Sequence, residues 1–199
     1  MLSERAKQLI PKARIFSVAN WEATYPPATI TRFQTADDEG RYLNDTDLEQ
    51  VVTSLQTIPE PEKSAALAQV ETVRLLRDQA DAIVTEARET VLTQFPGITD
   101  PGGDLHPPER AQACWRDFWH FLRCITYGIA GSQTEYTSEE GLHYMELLYQ
   151  ELNVPLKAMV SGLEGLKVAS LKRLNTDSEA IAPYFDHLST QMRRFLPSE

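Results

Sequence analysis

The stretch Ala111–Gly131, AQACWRDFWHFLRCITYGIAG, holds no proline, and no glycine before Gly128. It therefore reads as one long helix of five to six turns, at about 3.6 residues each. At about 100° per residue, Trp115, Phe118, Trp119, Phe121, Leu122 and Ile125 cover one half of it. An apolar face that broad must be buried against several neighbours at once, which places the helix at the centre of a helical bundle. Cys114, Arg116, Asp117, His120 and Arg123 run around the other half. A water-facing half normally carries Lys, Glu and Gln; a thiol, one acid, a histidine and two guanidiniums suit a bound ligand better.

The rest of the chain reads as further helices around this one. Met1 to Phe16 forms a short helix interrupted by Pro11. An aromatic arm follows, VANWEATYPPATI, in which Pro26-Pro27 is expected to stop any helix. Thr29 to Asp38 supplies a turn or two more. Gly40 marks a break, and Asn44 or Asp45 caps a helix whose apolar face is Leu48, Val51, Val52 and Leu55. Ser64 to Phe95 reads as the longest helix, ended by Pro96-Gly97. The breaker-rich loop TDPGGDLHPP, residues 99–108, immediately precedes the central helix, where it is placed to form a pocket mouth with His106 as a candidate cover. Three more helices are expected near Ser138–Leu152, after Val154-Pro155, and from about Ser178 to Phe195. About eight helices and no convincing strand make the fold all-α.

Composition narrows the function. A formal net charge of −10 argues against nucleic acid or an anionic membrane as partner, since both need basic surface. No apolar run approaches the roughly 20 residues that span a bilayer. The beginning, MLSERAKQLIPKARIF, lacks the apolar core of a secretory signal, and two cysteines ten residues apart form no disulfide framework, so a reducing, cytoplasmic setting is expected. The four histidines show no metal-ligand spacing, so no metal site is expected. No paired carboxylates, Ser/His/Asp set or phosphate-cradling glycines point to catalysis, and a non-enzymatic protein is expected. Cys124, the Trp115/Trp119 pair, His143 and His187 read as core or surface.

Cys114-Trp-Arg116-Asp117, followed by Leu122-Arg123 and Ile125-Thr126-Tyr127, resembles the C-x-R-D…L-R-x-x-T-Y stretch of phycobiliproteins, the globin-like, bilin-carrying proteins of cyanobacterial antennae. Three further segments agree in order. Ala36-Asp37, Gly40-Arg41 and Leu43 resemble the family's A-D-x-x-G-R-x-L. Ala80-Asp81 with Phe95-Pro96 resembles the helix before the bilin loop, and the region around Tyr184, Asp186 and Leu188 is similar to the last helix. The likeness runs from about Thr29 to Leu196.

The resemblance implies a globin-like fold over residues 29–199, with residues 1–28 as an extension packed on the body. It implies a phycocyanobilin-like linear tetrapyrrole as cofactor. Cys114 stands where the family's thiol adds to the bilin, and a thiolate is the competent nucleophile. Asp117 would accept hydrogen bonds from pyrrole N–H groups, and Arg116 would pair with a propionate. Trp119, Phe121 and Tyr127 would line the ring system, with His120 near the propionates. The residues admit both a thioether at Cys114 and non-covalent retention.

Departures from the antenna pattern shape the functional expectation. Ala113 stands where a lysine is usual, His120-Phe121 where two tyrosines are frequent, and the N-terminal arm is longer. This pattern resembles the side branch called bilin biosynthesis-associated globins. The expected function is therefore bilin binding as a carrier or protector, with bilin-synthesising enzymes or phycobiliprotein-related subunits as partners. The alternative is a light-harvesting phycobilisome subunit.

Overall fold

The computed structural model describes residues 2–19, 21–174 and 178–197. Met1, Asn20 within the aromatic arm, and the last two residues of the 29–199 body lie outside the described residues. Nine α-helices are present among the described residues: α1 Glu4–Leu9, α2 Pro27–Asp38, α3 Asp45–Ser54, α4 Glu62–Asp78, α5 Ala80–Gln94, α6 Pro108–Ala130, α7 Glu139–Glu151, α8 Leu156–Leu171 and α9 Ser178–Arg193. Two short 3₁₀ turns, Trp21–Ala23 and Leu55–Thr57, complete the list. The all-α architecture matches the sequence reading. The one extended pairing among the described residues is a single bridge between Phe16 and Thr137.

The central helix is where the sequence puts it, and α4, α5, α8 and α9 pack around it. Phe118, Phe121, Leu122 and Ile125 are buried, whereas Trp115 and Trp119 remain partly exposed. Phe118 seats its ring on Gly162 of α8, where an added Cβ would lie 1.9 Å from Cζ. That glycine sets how closely α8 approaches α6.

Two expectations are corrected. Pro26-Pro27 does not stop a helix; it starts one. Pro26 is the extended N-cap of α2 and Pro27 its first residue, where a missing N–H removes nothing and a fixed φ suits the turn. The helix is accordingly twelve residues long. The 64–95 reading splits in two at Gln79, whose φ of −110° and ψ of 12° interrupt the backbone. Periodicity runs through the break because both halves bury one apolar face, but against different partners: α4 packs on α6, and α5 runs along α8.

The caps follow sequence rules. Asn44 and Asp47 form a reciprocal capping box at α3, and Ser138 accepts from the Gly141 N–H at α7. Gly40 sits at φ +65°, a left-handed position that suits glycine. No helix among the described residues is long and apolar enough to cross a membrane.

The aromatic arm is built into the body. Trp21, Tyr25 and Phe33 are buried, Phe16 meets Tyr127 with ring centroids 4.8 Å apart, and the Trp21 ring lies on Gly131. The Ser17 N–H donates to the Tyr136 carbonyl at 2.9 Å, and the Ser138 N–H to the Ile15 carbonyl at 2.7 Å.

Candidate functional site: a cavity along the central helix

A cavity of about 1070 Å³ runs along the polar half of α6. Its floor is α6 itself, with Cys114, Arg116, Asp117, His120 and Phe121 all contributing. Met145, Leu148 and Tyr149 of α7 form a second wall. Leu105 and Pro107, from the loop before α6, close one end. The volume is at the upper end of the roughly 300–1,000 Å³ typical of small-molecule sites.

Asp117 is the acid on this floor. The Tyr149 hydroxyl donates to its Oδ2 at 2.8 Å, the one hydrogen bond the carboxylate receives among the described residues. Burial pushes Asp117 up to about 6, against the opposing pulls of the Tyr149 hydroxyl and the Arg116 charge. A carboxylate with spare lone pairs beside a cavity is an acceptor waiting for donors. Arg116, one step away, is exposed and forms no hydrogen bond or ion pair among the described residues. His120 is partly buried, and its Nδ1 has no hydrogen-bond partner among the described residues. Burial first, then the charges of Arg123 and Arg116, lower its affinity for a proton, with Asp37 opposing.

Cys114 touches the cavity but is 5% exposed. Its thiol donates to Met159 Sδ of α8 at 2.9 Å. Burial, then the negative charge of Asp117, push the thiol up to about 12, with Arg110 opposing. Arg116 is not among the charges that act on it. In this form the sulfur is a protonated, packed group.

Three expected site residues lie off the cavity: Tyr127 and Trp119, expected by resemblance, and His106, expected from its place in the loop. Tyr127 is fully buried in the core. Its hydroxyl accepts from Arg123 Nη1 at 2.7 Å and donates to the Arg41 carbonyl. The cavity lining along α6 runs from Glu109 to Cys124 and stops short of it. Trp119 packs edge-on against Tyr42 at 4.7 Å, on the side of the helix away from Asp117. His106 is exposed, while its neighbours Leu105 and Pro107 face the cavity.

Motif residues at the cavity edge, Arg123 and Asp37, and others behind it hold its frame together. Arg123 pairs with Asp37 at 3.0 Å, so the A-D-x-x-G-R-x-L and L-R-x-x-T-Y segments are one cluster in space. Arg41 pairs with buried Asp47 at 2.6 Å. His187, read as surface, is partly buried, and its Nε2 lies 2.7 Å from Thr137 Oγ1. Sequence reasoning missed the α7 wall. Its signal was the Leu142, Met145, Tyr149 spacing, which marks a buried face without saying that part of it meets a cavity rather than core.

The family model described as phycobilisome protein matches residues 31–192. The chain belongs to the phycobilisome protein family. Among curated relatives of this family, it is 33% identical over 158 residues to the allophycocyanin subunit alpha-B of a Nostoc species, covering 79% of this chain and 93% of that one. It is 34% identical over 154 residues to the allophycocyanin alpha-B chain of a Synechococcus species, covering 77% and 90%. The allophycocyanin alpha chain of Mastigocladus laminosus is 29% identical over 155 residues, covering 77% and 92%. These similarities favour the light-harvesting alternative over the carrier reading that the departures in sequence suggested.

Proposed function

We propose that this protein holds a phycocyanobilin-type linear tetrapyrrole in the cavity along α6, as a pigment-bearing subunit of the phycobilisome class. The observation that carries the reading is Asp117: a carboxylate on the floor of a ligand-sized cavity, with a single hydrogen bond from Tyr149. The likeness to allophycocyanin subunits over about nine-tenths of their length supports it. The donor set suits the group. Asp117 takes pyrrole N–H donors, the unpaired Arg116 takes a propionate, and Phe121 packs against the conjugated rings. His120 borders the pigment in place of an aromatic. The tetrapyrrole, when bound, supplies absorption of visible light. Its partners in this reading are phycobiliprotein-related subunits.

One observation favours a second reading, a carrier or protector linked to bilin synthesis that holds its pigment without a covalent bond. The Cys114 thiol is packed on Met159 and protonated, which disfavours addition to the bilin.

Co-expression with bilin-synthesising enzymes tests both. In the subunit reading, the product is coloured, its pigment survives acid urea, and Cys114→Ala abolishes the covalent colour. In the carrier reading, acid urea releases the pigment, Cys114→Ala keeps it, and Asp117→Ala bleaches or blue-shifts the band. A protein colourless under every condition refutes both.

A further inference from the structure

The region matched by the family begins at residue 31, yet part of the cavity wall lies upstream of it. Leu2, Ser3, Ile10, Ala13, Arg14 and Ile15 all line the space beside Asp117 and Tyr149.

This upstream wall has two parts. Ala13–Ile15 is fixed: the Ile15 carbonyl accepts from Ser138, and the Arg14 carbonyl lies where a Cβ on Gly141 would stand, 1.8 Å away. The Arg14 guanidinium also holds Asp37 and Asp38. The segment before Pro11 is held far less. In α1 only Ala6 and Leu9 are buried. Its remaining ties to α7 include Ser3 Oγ donating to Glu151 Oε1 at 2.6 Å and Arg5 near the same carboxylate at 3.6 Å. Few buried contacts and exposed polar ties are the marks of a segment that opens without global unfolding.

A second observation points to what this segment faces. Leu2 and Ile10 are 47% and 46% exposed, two of the three large apolar side chains so exposed among the described residues. Both border the cavity. A flat apolar ligand seated there would cover them.

We propose that the chain upstream of residue 31 is part of the ligand site. Leu2, Ile10 and Ala13 pack on the apolar face of the tetrapyrrole, and α1 swings about the Ile10–Ala13 turn to admit and release it. The inference rests on the tetrapyrrole reading. It makes the site self-contained within one chain, with α1 setting how long an unattached pigment stays.

The test uses full-length protein carrying Cys114→Ala, so that every bound molecule remains free to dissociate. Phycocyanobilin is the probe, and its release is followed by absorbance. Combining Leu2→Asp with Ile10→Asp is expected to speed release by about tenfold or more, because a carboxylate replaces apolar contact with the ligand. Glu151→Ala, which unfastens α1, is expected to speed both uptake and release. Val168→Asp, an exposed apolar position in the separate groove between α5 and α8, is expected to change neither. Amide exchange adds a measurement independent of any variant: residues 4–13 are expected to gain protection on phycocyanobilin binding. Release rates within twofold of the parent, or unchanged protection of α1, overturn the proposal while leaving the tetrapyrrole reading intact. A parent protein that does not take up phycocyanobilin overturns the tetrapyrrole reading and this inference with it.

Discussion

Replacing Asp117 with Asn is predicted to stabilise the ligand-free protein while weakening its hold on pigment. Burial raises the carboxyl from an ordinary 3.8 to about 6. A group whose proton affinity is raised by folding contributes its full stability below the unfolded value and loses it as pH rises through the folded value. Ionised Asp117 therefore works against the fold above about pH 6. At about 1.4 kcal/mol per tenfold, a rise of that size corresponds to about 3 kcal/mol. Water reaching the carboxylate through the cavity reduces this to about 1–2 kcal/mol. Asn is isosteric and still accepts from the Tyr149 hydroxyl, so it removes the charge and keeps the contact. For a chain of this size, about 1–2 kcal/mol moves the melting temperature by about 2–8 °C. The assay is thermal unfolding of ligand-free wild type and Asp117→Asn between pH 4 and pH 8. The variant should be the more stable at pH 8, with the gap closing as pH falls from about 6 to about 4. Equal stabilities at pH 8, or a gap that does not change with pH, would refute the assignment of a buried, penalised carboxylate. Pigment binding should move the other way, because pyrrole N–H donors restore what ionised Asp117 lacks.

Further predictions concern the frame. In native, pigment-free protein at pH 8, Cys114 should react with iodoacetamide far more slowly than in urea, since its thiol is buried and pushed up to about 12; mass spectrometry of the tryptic peptide reads the rate. Arg123→Met should cost about 2–3 kcal/mol in urea unfolding, below the roughly 3–5 expected for a broken buried pair, because Arg14 still holds Asp37. Gly131→Leu should destabilise by about 1–3 kcal/mol, since an added Cβ lies 2.4 Å from the Trp21 ring. Loss of Trp21 near-UV signal would locate the damage at the arm.

The central helix was legible because its signal is local: an uninterrupted run with one wide apolar half needs only the helical period to be read. The Asn44 and Ser138 caps were legible for the same reason. The two corrected elements are cases where local chemistry admits two outcomes. A Pro pair ends a preceding helix or opens a following one, and which happens depends on whether the next residues, here Ile30, Phe33 and Ala36, find a surface to bury. The 64–95 pattern carries no breaker at Gln79; the chain turns there because α5 packs along α8 rather than continuing with α4.

The site divides in the same way. Spacing along one helix places Cys114, Asp117, His120 and Arg116 around one half of α6, and that arrangement is a property of the amino-acid order alone. Whether each member of that half meets a cavity, core or water depends on what stands opposite. Met159 stands opposite Cys114 and packs its sulfur away, Tyr149 stands opposite Asp117 and leaves it lone pairs, and Tyr127 falls among Arg41, Arg123 and Phe16 in the core. Residues 2–10 carry no motif, and their position on the cavity follows only from the docking of α1 on α7. Helical period is written in neighbouring residues; the partners that convert a helix face into a wall come from segments far along the chain, and only packing brings them together.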